Sequence, residues 1–107
     1  MGAVLYYGYY PKEIAKTEYF PFLNQYPDGN EMNGKHLKKE FIEILNKDGQ
    51  FDEEGDCWIF TDINKIMELA KYADERMCDY ACNPNDYYYS NEDVVDINNS
   101  VFIIWHR

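Results

Sequence analysis

Three cysteines, two histidines and an excess of carboxylates are the residues of this chain whose types could do chemistry. Cys78 and Cys82 stand four apart, and with Cys57 and His36 or His106 they supply the donor types of a zinc site. Zinc sites are usually announced by closely paired ligands of the Cys-x-x-Cys kind, and here the donors are scattered. The expectation is therefore no metal, with the cysteines acting as small buried hydrophobes, Cys78 beside Met77 and Cys82 beside Ala81. The stretch DGQFDEEGD, residues 48–56, gathers five carboxylates in nine residues. Counted as a calcium loop from Asp48 it fails, because Glu53 stands where the sharp-turn glycine belongs and Ile59 where the bidentate glutamate belongs.

Catalytic patterns are equally thin. His36 lies among lysines at the start of a candidate helix, and His106 is penultimate. Neither Ser90 nor Ser100 has a nucleophile-elbow context, and no glycine-rich loop is built to cradle a phosphate. Adjacent acids such as Glu53 and Glu54 can do general acid–base work only in a pocket that shifts their pKa values. The expectation is a protein that is not an enzyme and carries no cofactor.

Charge is the more informative feature. The chain has 107 residues and a formal net charge of −10. Residues 1–47 balance six lysines against six acids, whereas residues 48–107 set fourteen acids against four bases, so the whole excess lies in the second half. Such a chain is poorly suited to binding nucleic acid directly, which needs cations against phosphates, or to anionic membrane surfaces. Three groups of residues stand out as candidate partner contacts. Asp48, Asp52, Glu53, Glu54 and Asp56 crowd one loop; Glu68, Asp74, Glu75 and Asp79 fall on the outer side of a helical pattern; Asp86, Glu92 and Asp93, with Asp96, punctuate the C-terminal segment. Tyr87, Tyr88 and Tyr89 between them supply aromatic anchors. Glu68, Glu75 and Asp79 follow spacings of seven and four, which on one continuous helix would stack them into a row of fixed negative charge resembling phosphates along a duplex.

The elements that must position these groups can be read coarsely. Length fits one domain, residues 1–107. AVLYYGYY is rich in strand formers, and residues 17–24 look extended though interrupted by Pro21. Asn33 is placed to cap a helix over 35–47, with Leu37, Phe41, Ile44 and Leu45 on its apolar face. After the acidic loop, CWIF reads as a short strand. Thr61 then opens a single helix over 62–82, striped by Ile63, Ile66, Met67, Ala70, Ala73, Met77 and Ala81. Apolar runs at 94–97 and 101–105 around Asn98-Asn99-Ser100 predict a hairpin, and DYYY a further strand. The resulting fold class is α+β, a small antiparallel sheet with two helices packed on one face. No apolar run reaches the ~18 residues of a membrane span, and the N-terminus lacks the features of a signal peptide. With an odd number of cysteines, this points to reduced thiols in the cytoplasm.

Met1-Gly2 together with Tyr26-Pro27 and Gly29, in the turn QYPDGN ahead of the first helix, resembles a group of small uncharacterised phage and bacterial proteins. These begin Met-Gly and carry a Tyr-Pro-(Asp/Glu)-Gly turn in the same place; their preceding His-Trp-Asp is replaced here by Leu23-Asn24-Gln25. The short, acidic, tyrosine-rich chain is also similar in style to phage anti-CRISPR and other anti-defence inhibitors, some of which mimic DNA. That resemblance implies an inhibitor that binds a basic nucleic-acid-handling protein, a CRISPR nuclease above all, through an acidic surface. Reversing Glu53, Glu54, Glu75 and Asp79 should then weaken binding more than reversing Glu13 and Glu18. Two other readings stand beside it. Tyr6, Tyr7, Tyr9 and Tyr10 with the Tyr-Pro-Asp-Gly turn could line a pocket that sequesters a nucleotide, or the acids could serve solubility alone.

Overall fold

The computed structural model describes residues 4–12, 31–33, 37–53, 56–86 and 95–106. Five strands form one antiparallel sheet: β1 (Val4–Pro11), β2 (Glu31–Asn33), β3 (Gln50–Asp52), β4 (Cys57–Phe60) and β5 (Ser100–His106). Their spatial order is β2-β1-β5-β4-β3. Three helices, α1 (Lys39–Asp48), α2 (Ile63–Ala70) and α3 (Glu75–Cys82), complete the described architecture, with short 3-10 turns at Pro84–Asp86 and Ile97–Asn99. The fold is α+β, as the alternation of strand and helix patterns predicts.

The two ends of the chain build the middle of the sheet. β1 pairs with β5 over seven registered residues, from Leu5 opposite His106 to Pro11 opposite Ser100. β4 lies on the other side of β5, with Cys57 opposite Trp105 and Phe60 opposite Phe102. Side chains alternate between the faces of a strand, and here both faces are buried. Leu5, Tyr7, Tyr9, Phe60, Phe102 and Ile104 join Phe41, Leu45, Ile66, Leu69, Met77, Tyr80 and Ala81 of the helices in one core cluster. Tyr10, Cys57, Val101, Ile103 and Trp105 form a second cluster on the opposite face, with Tyr6 and Ile59 packed against it. A central strand buried on both sides explains why β5 reads as the unbroken apolar run VFIIW rather than as an alternation.

Several boundaries differ from the sequence expectation. Asn33 ends β2 instead of capping a helix, and α1 starts after Lys38, whose side chain makes no cap bond. The helix expected over 62–82 is two helices, separated at Lys71–Asp74. Tyr72 and Ala73 donate to carbonyls only three residues back, Leu69 and Ala70, which tightens and ends α2. The Asp74 carboxylate then accepts the Met77 amide at 2.8 Å and starts α3 afresh. Asp62, not Thr61, caps α2, accepting the Asn64 amide at 2.9 Å. Among the described residues no hairpin joins 95–97 to 101–105: Ile97–Asn99 is a 3-10 turn capped by Asp96, and β5 takes its partners from β1 and β4. The extended segment expected over 17–24 and the strand expected at Tyr87–Tyr89 lie outside the described residues.

Candidate interaction surface

Among the described residues, the acidic stretch 48–56 is divided between a helix end, an edge strand and a hairpin and is not a single turn. Asp48 ends α1, Gly49 turns the chain, Gln50–Asp52 is edge strand β3, and β4 follows from Cys57. Asp52 pairs with Cys57 at the turn end of this β3–β4 hairpin. Asp56 sits there with φ of 50°, a left-handed conformation that aspartate tolerates better than most residues. The hairpin thus presents Glu53 and Asp56, both exposed, at one edge of the sheet.

Of the fifteen candidate contacts, Glu54, Tyr87, Tyr88, Tyr89, Glu92 and Asp93 lie outside the described residues. Among the other nine, Glu53, Asp56, Glu68, Asp74, Glu75, Asp79 and Asp86 are exposed and Asp48 and Asp52 are half-buried; none is buried. Several also have local duties. Asp48 is 3.7 Å from the Lys65 ammonium and Glu68 is 3.2 Å from that of Lys71. Asp74 caps α3, and Asp79 accepts from the side-chain amide of Asn83.

The sheet order separates these groups into two patches. α3 packs against β2, and its Tyr80 hydroxyl accepts the amide of Tyr9 in β1 at 3.0 Å, while the Tyr9 hydroxyl donates to the Ala81 carbonyl at 2.9 Å. The Glu75–Asp79 patch therefore lies over the β2–β1 side and the Glu53–Asp56 hairpin at the β3 edge. Neighbouring strands are ~4.8 Å apart, so four spacings put the two sheet edges roughly 19 Å from each other. Glu68 on α2 lies between them, because α2 packs against both α1 and α3. The single row of Glu68, Glu75 and Asp79 along one helix is corrected by the break at Lys71–Asp74: Glu68 belongs to α2 and only Glu75 and Asp79 share α3.

The fold also collects acids from the neutral half of the chain. A groove of about 520 Å³ between α1 and α2 is lined by Glu40, Glu43, Ile44, Lys47, Asp48, Asn64, Lys65, Glu68 and Tyr72. Sequence reading missed this groove, since Glu40 and Glu43 sit in a segment whose charge balances.

The tyrosines expected to line one pocket do not share one. Tyr7 and Tyr9 point into the helix-side core and are 1% and 4% exposed, whereas Tyr6 and Tyr10 belong to the opposite cluster. Tyr9 stacks on Tyr80 at 5.5 Å and meets Phe102 edge-on at 4.9 Å, so these rings build the core. Burial, reinforced by Tyr80 and Cys82, raises the Tyr9 phenol above its ordinary value.

The cysteines divide in the same way. Cys57 is fully buried in the second-face cluster, and burial, with Asp52 and Asp56 nearby, pushes its thiol up to about 12. Cys78 and Cys82 lie on α3 over the other face, so Cys57 is not brought together with them. Cys78 is half-buried, but Cys82 is exposed, contrary to the buried role expected of it. Its thiol is raised by burial first, then by contact and hydrogen bonding with Cys78 and by Asp79. Among the described residues no group of three or more His, Cys, Asp or Glu is placed to hold a metal ion, and no helix is long and apolar enough to cross a membrane.

No protein-family model, curated protein or solved structure matches the chain.

Proposed function

We propose that this protein is a non-enzymatic inhibitor of the phage anti-defence type. It docks on a basic, nucleic-acid-handling protein, a CRISPR nuclease being the partner class favoured by the resemblance of the chain. The observation that carries this reading is that no described acid among the candidate contacts is buried, in a chain whose excess charge all lies in residues 48–107. Crowding like charge onto one small domain opposes folding, and a cationic partner relieves it. The hairpin patch at the β3 edge and the α3 patch over the β2–β1 side are separate. They suit cations on two walls of a channel better than a single file of phosphate-binding residues. Association of this kind is steered by the field and weakens with ionic strength.

Binding to CRISPR nucleases freed of guide and target, measured over a range of sodium chloride, tests the proposal. Affinity should fall steeply and monotonically with salt. Affinity that holds constant across that range would remove the electrostatic basis of the reading.

A further inference from the structure

Beyond that reading, we propose that Cys78 and Cys82 form a two-sulfur site for a soft metal ion of low coordination number, of the copper(I) or silver(I) kind. The two residues are one helical turn apart on α3, with Cys82 its last residue. They open together onto a shallow surface depression of about 760 Å³ whose other lining residues are Glu75, Arg76, Asp79 and Asn83. An ion can therefore reach both sulfurs from solvent.

Distance decides between a metal and a disulfide. Residues four apart on a helix hold their Cβ atoms ~5–6 Å apart, whereas a disulfide needs ~3.5–4.5 Å. Closing a disulfide would require the last turn of α3 to deform. That turn is held by the Asn83 amide and the Asn83 side chain, both donating to the Asp79 carbonyl, at 3.1 and 3.0 Å. A metal bridging two sulfurs, with metal–sulfur bonds of about 2.3 Å as in zinc sites, spans the wider gap without deforming the helix. Thiolates select soft cations, and the carboxylates of Glu75 and Asp79 outweigh Arg76 beside them. Among the described residues no group of three or more His, Cys, Asp or Glu surrounds the two sulfurs, and an ion of low coordination number is content with the pair. Cys57 is on the opposite face of the sheet and takes no part.

Anaerobic titration of the reduced 107-residue chain with copper(I), against a chromophoric copper(I) chelator, tests this, with native mass spectrometry for stoichiometry. The expected result is one ion per chain. Cys57→Ser should leave the affinity unchanged, and Cys78→Ser and Cys82→Ser should each weaken it about 100-fold, because the second sulfur of a chelate binds as an intramolecular partner. Far-ultraviolet circular dichroism establishes that each variant is folded; if one of the α3 variants is not, the other decides. Retained affinity in a folded Cys78→Ser or Cys82→Ser chain would overturn the proposal. So would failure of the parent chain to take copper(I).

Discussion

Gly49 shows how a single residue sets the junction between helix and sheet. Its backbone is ordinary, with φ of −81°, yet a Cβ there would lie 2.6 Å from the Leu45 carbonyl and 2.8 Å from the Phe60 ring. Gly49→Ala should therefore cost about 1–3 kcal/mol, as overpacking does, read as a lower urea midpoint. Tyr80 is the second such residue. Tyr80→Phe keeps the ring stack but removes the acceptor of the Tyr9 amide, leaving a buried donor unsatisfied at a cost of about 1–3 kcal/mol. Tyr9→Phe, which removes the bond to the Ala81 carbonyl, provides the companion measurement. Cys57 contributes a pH dependence. Its folded-state thiol is raised from 9.0 to about 12, so it ionises more readily in the unfolded chain. The stability it contributes is complete below pH 9 and is lost as pH rises from there toward 12. Cys57→Ala should flatten that alkaline decline in denaturation experiments. A thiol-reactive disulfide reagent at neutral pH should label Cys82 in the native protein and reach Cys57 only after unfolding.

At the scale of elements, α3 depends on its own start. Asp74→Ala removes the acceptor of the Met77 amide and should destabilise the protein by about 1 kcal/mol, with Asp74→Asn restoring most of it. Amide exchange in α3 should rise more than in α1 in the alanine variant. The same residue shows why part of the fold was legible and part was not. The apolar stripe through 63–81 has helical spacing on both sides of Lys71–Asp74, so periodicity alone cannot reveal that the helix stops and restarts; only an aspartate in capping position marks the break. Thr61 and Asp62 are both good caps in adjacent places, and sequence does not choose between them. β1 and β5 were readable because aromatic and β-branched residues dominate them. β3 was not, because Gln50-Phe51-Asp52 carries one apolar residue in an acidic stretch, and Phe51, itself exposed, meets Trp58 at 5.2 Å. The Asn98-Asn99 pair looked like a hairpin turn, whereas Asp96 bonds the Asn98 amide at 3.1 Å and makes a 3-10 entry into β5.

For the molecule as a whole, sheet order is the fact that sequence hides. It carries the acidic hairpin to the β3 edge and α3 to the β2–β1 side, so acids neighbouring in composition become two patches with α2 between them. It also pulls Glu40 and Glu43 into one groove with Asp48 and Glu68. Composition made the charge excess legible, but not its division, since that depends on β5 inserting between β1 and β4. Removing exposed acids other than the helix caps Asp62, Asp74 and Asp96 should cost little stability while altering association, because the described ion pairs are solvent-facing or half-buried and such pairs contribute little.

The most direct test is displacement of labelled DNA from a panel of guide-loaded CRISPR nucleases by the parent chain and by two charge-reversed variants. One variant carries Glu53→Lys, Glu75→Lys and Asp79→Lys; the other carries Glu40→Lys and Glu43→Lys on α1. If the acidic surface docks as proposed, the parent chain displaces DNA from at least one nuclease at low salt, and the first variant is weaker by about tenfold or more while the second changes far less. Equal losses in the two variants, or no displacement from any nuclease, would contradict it.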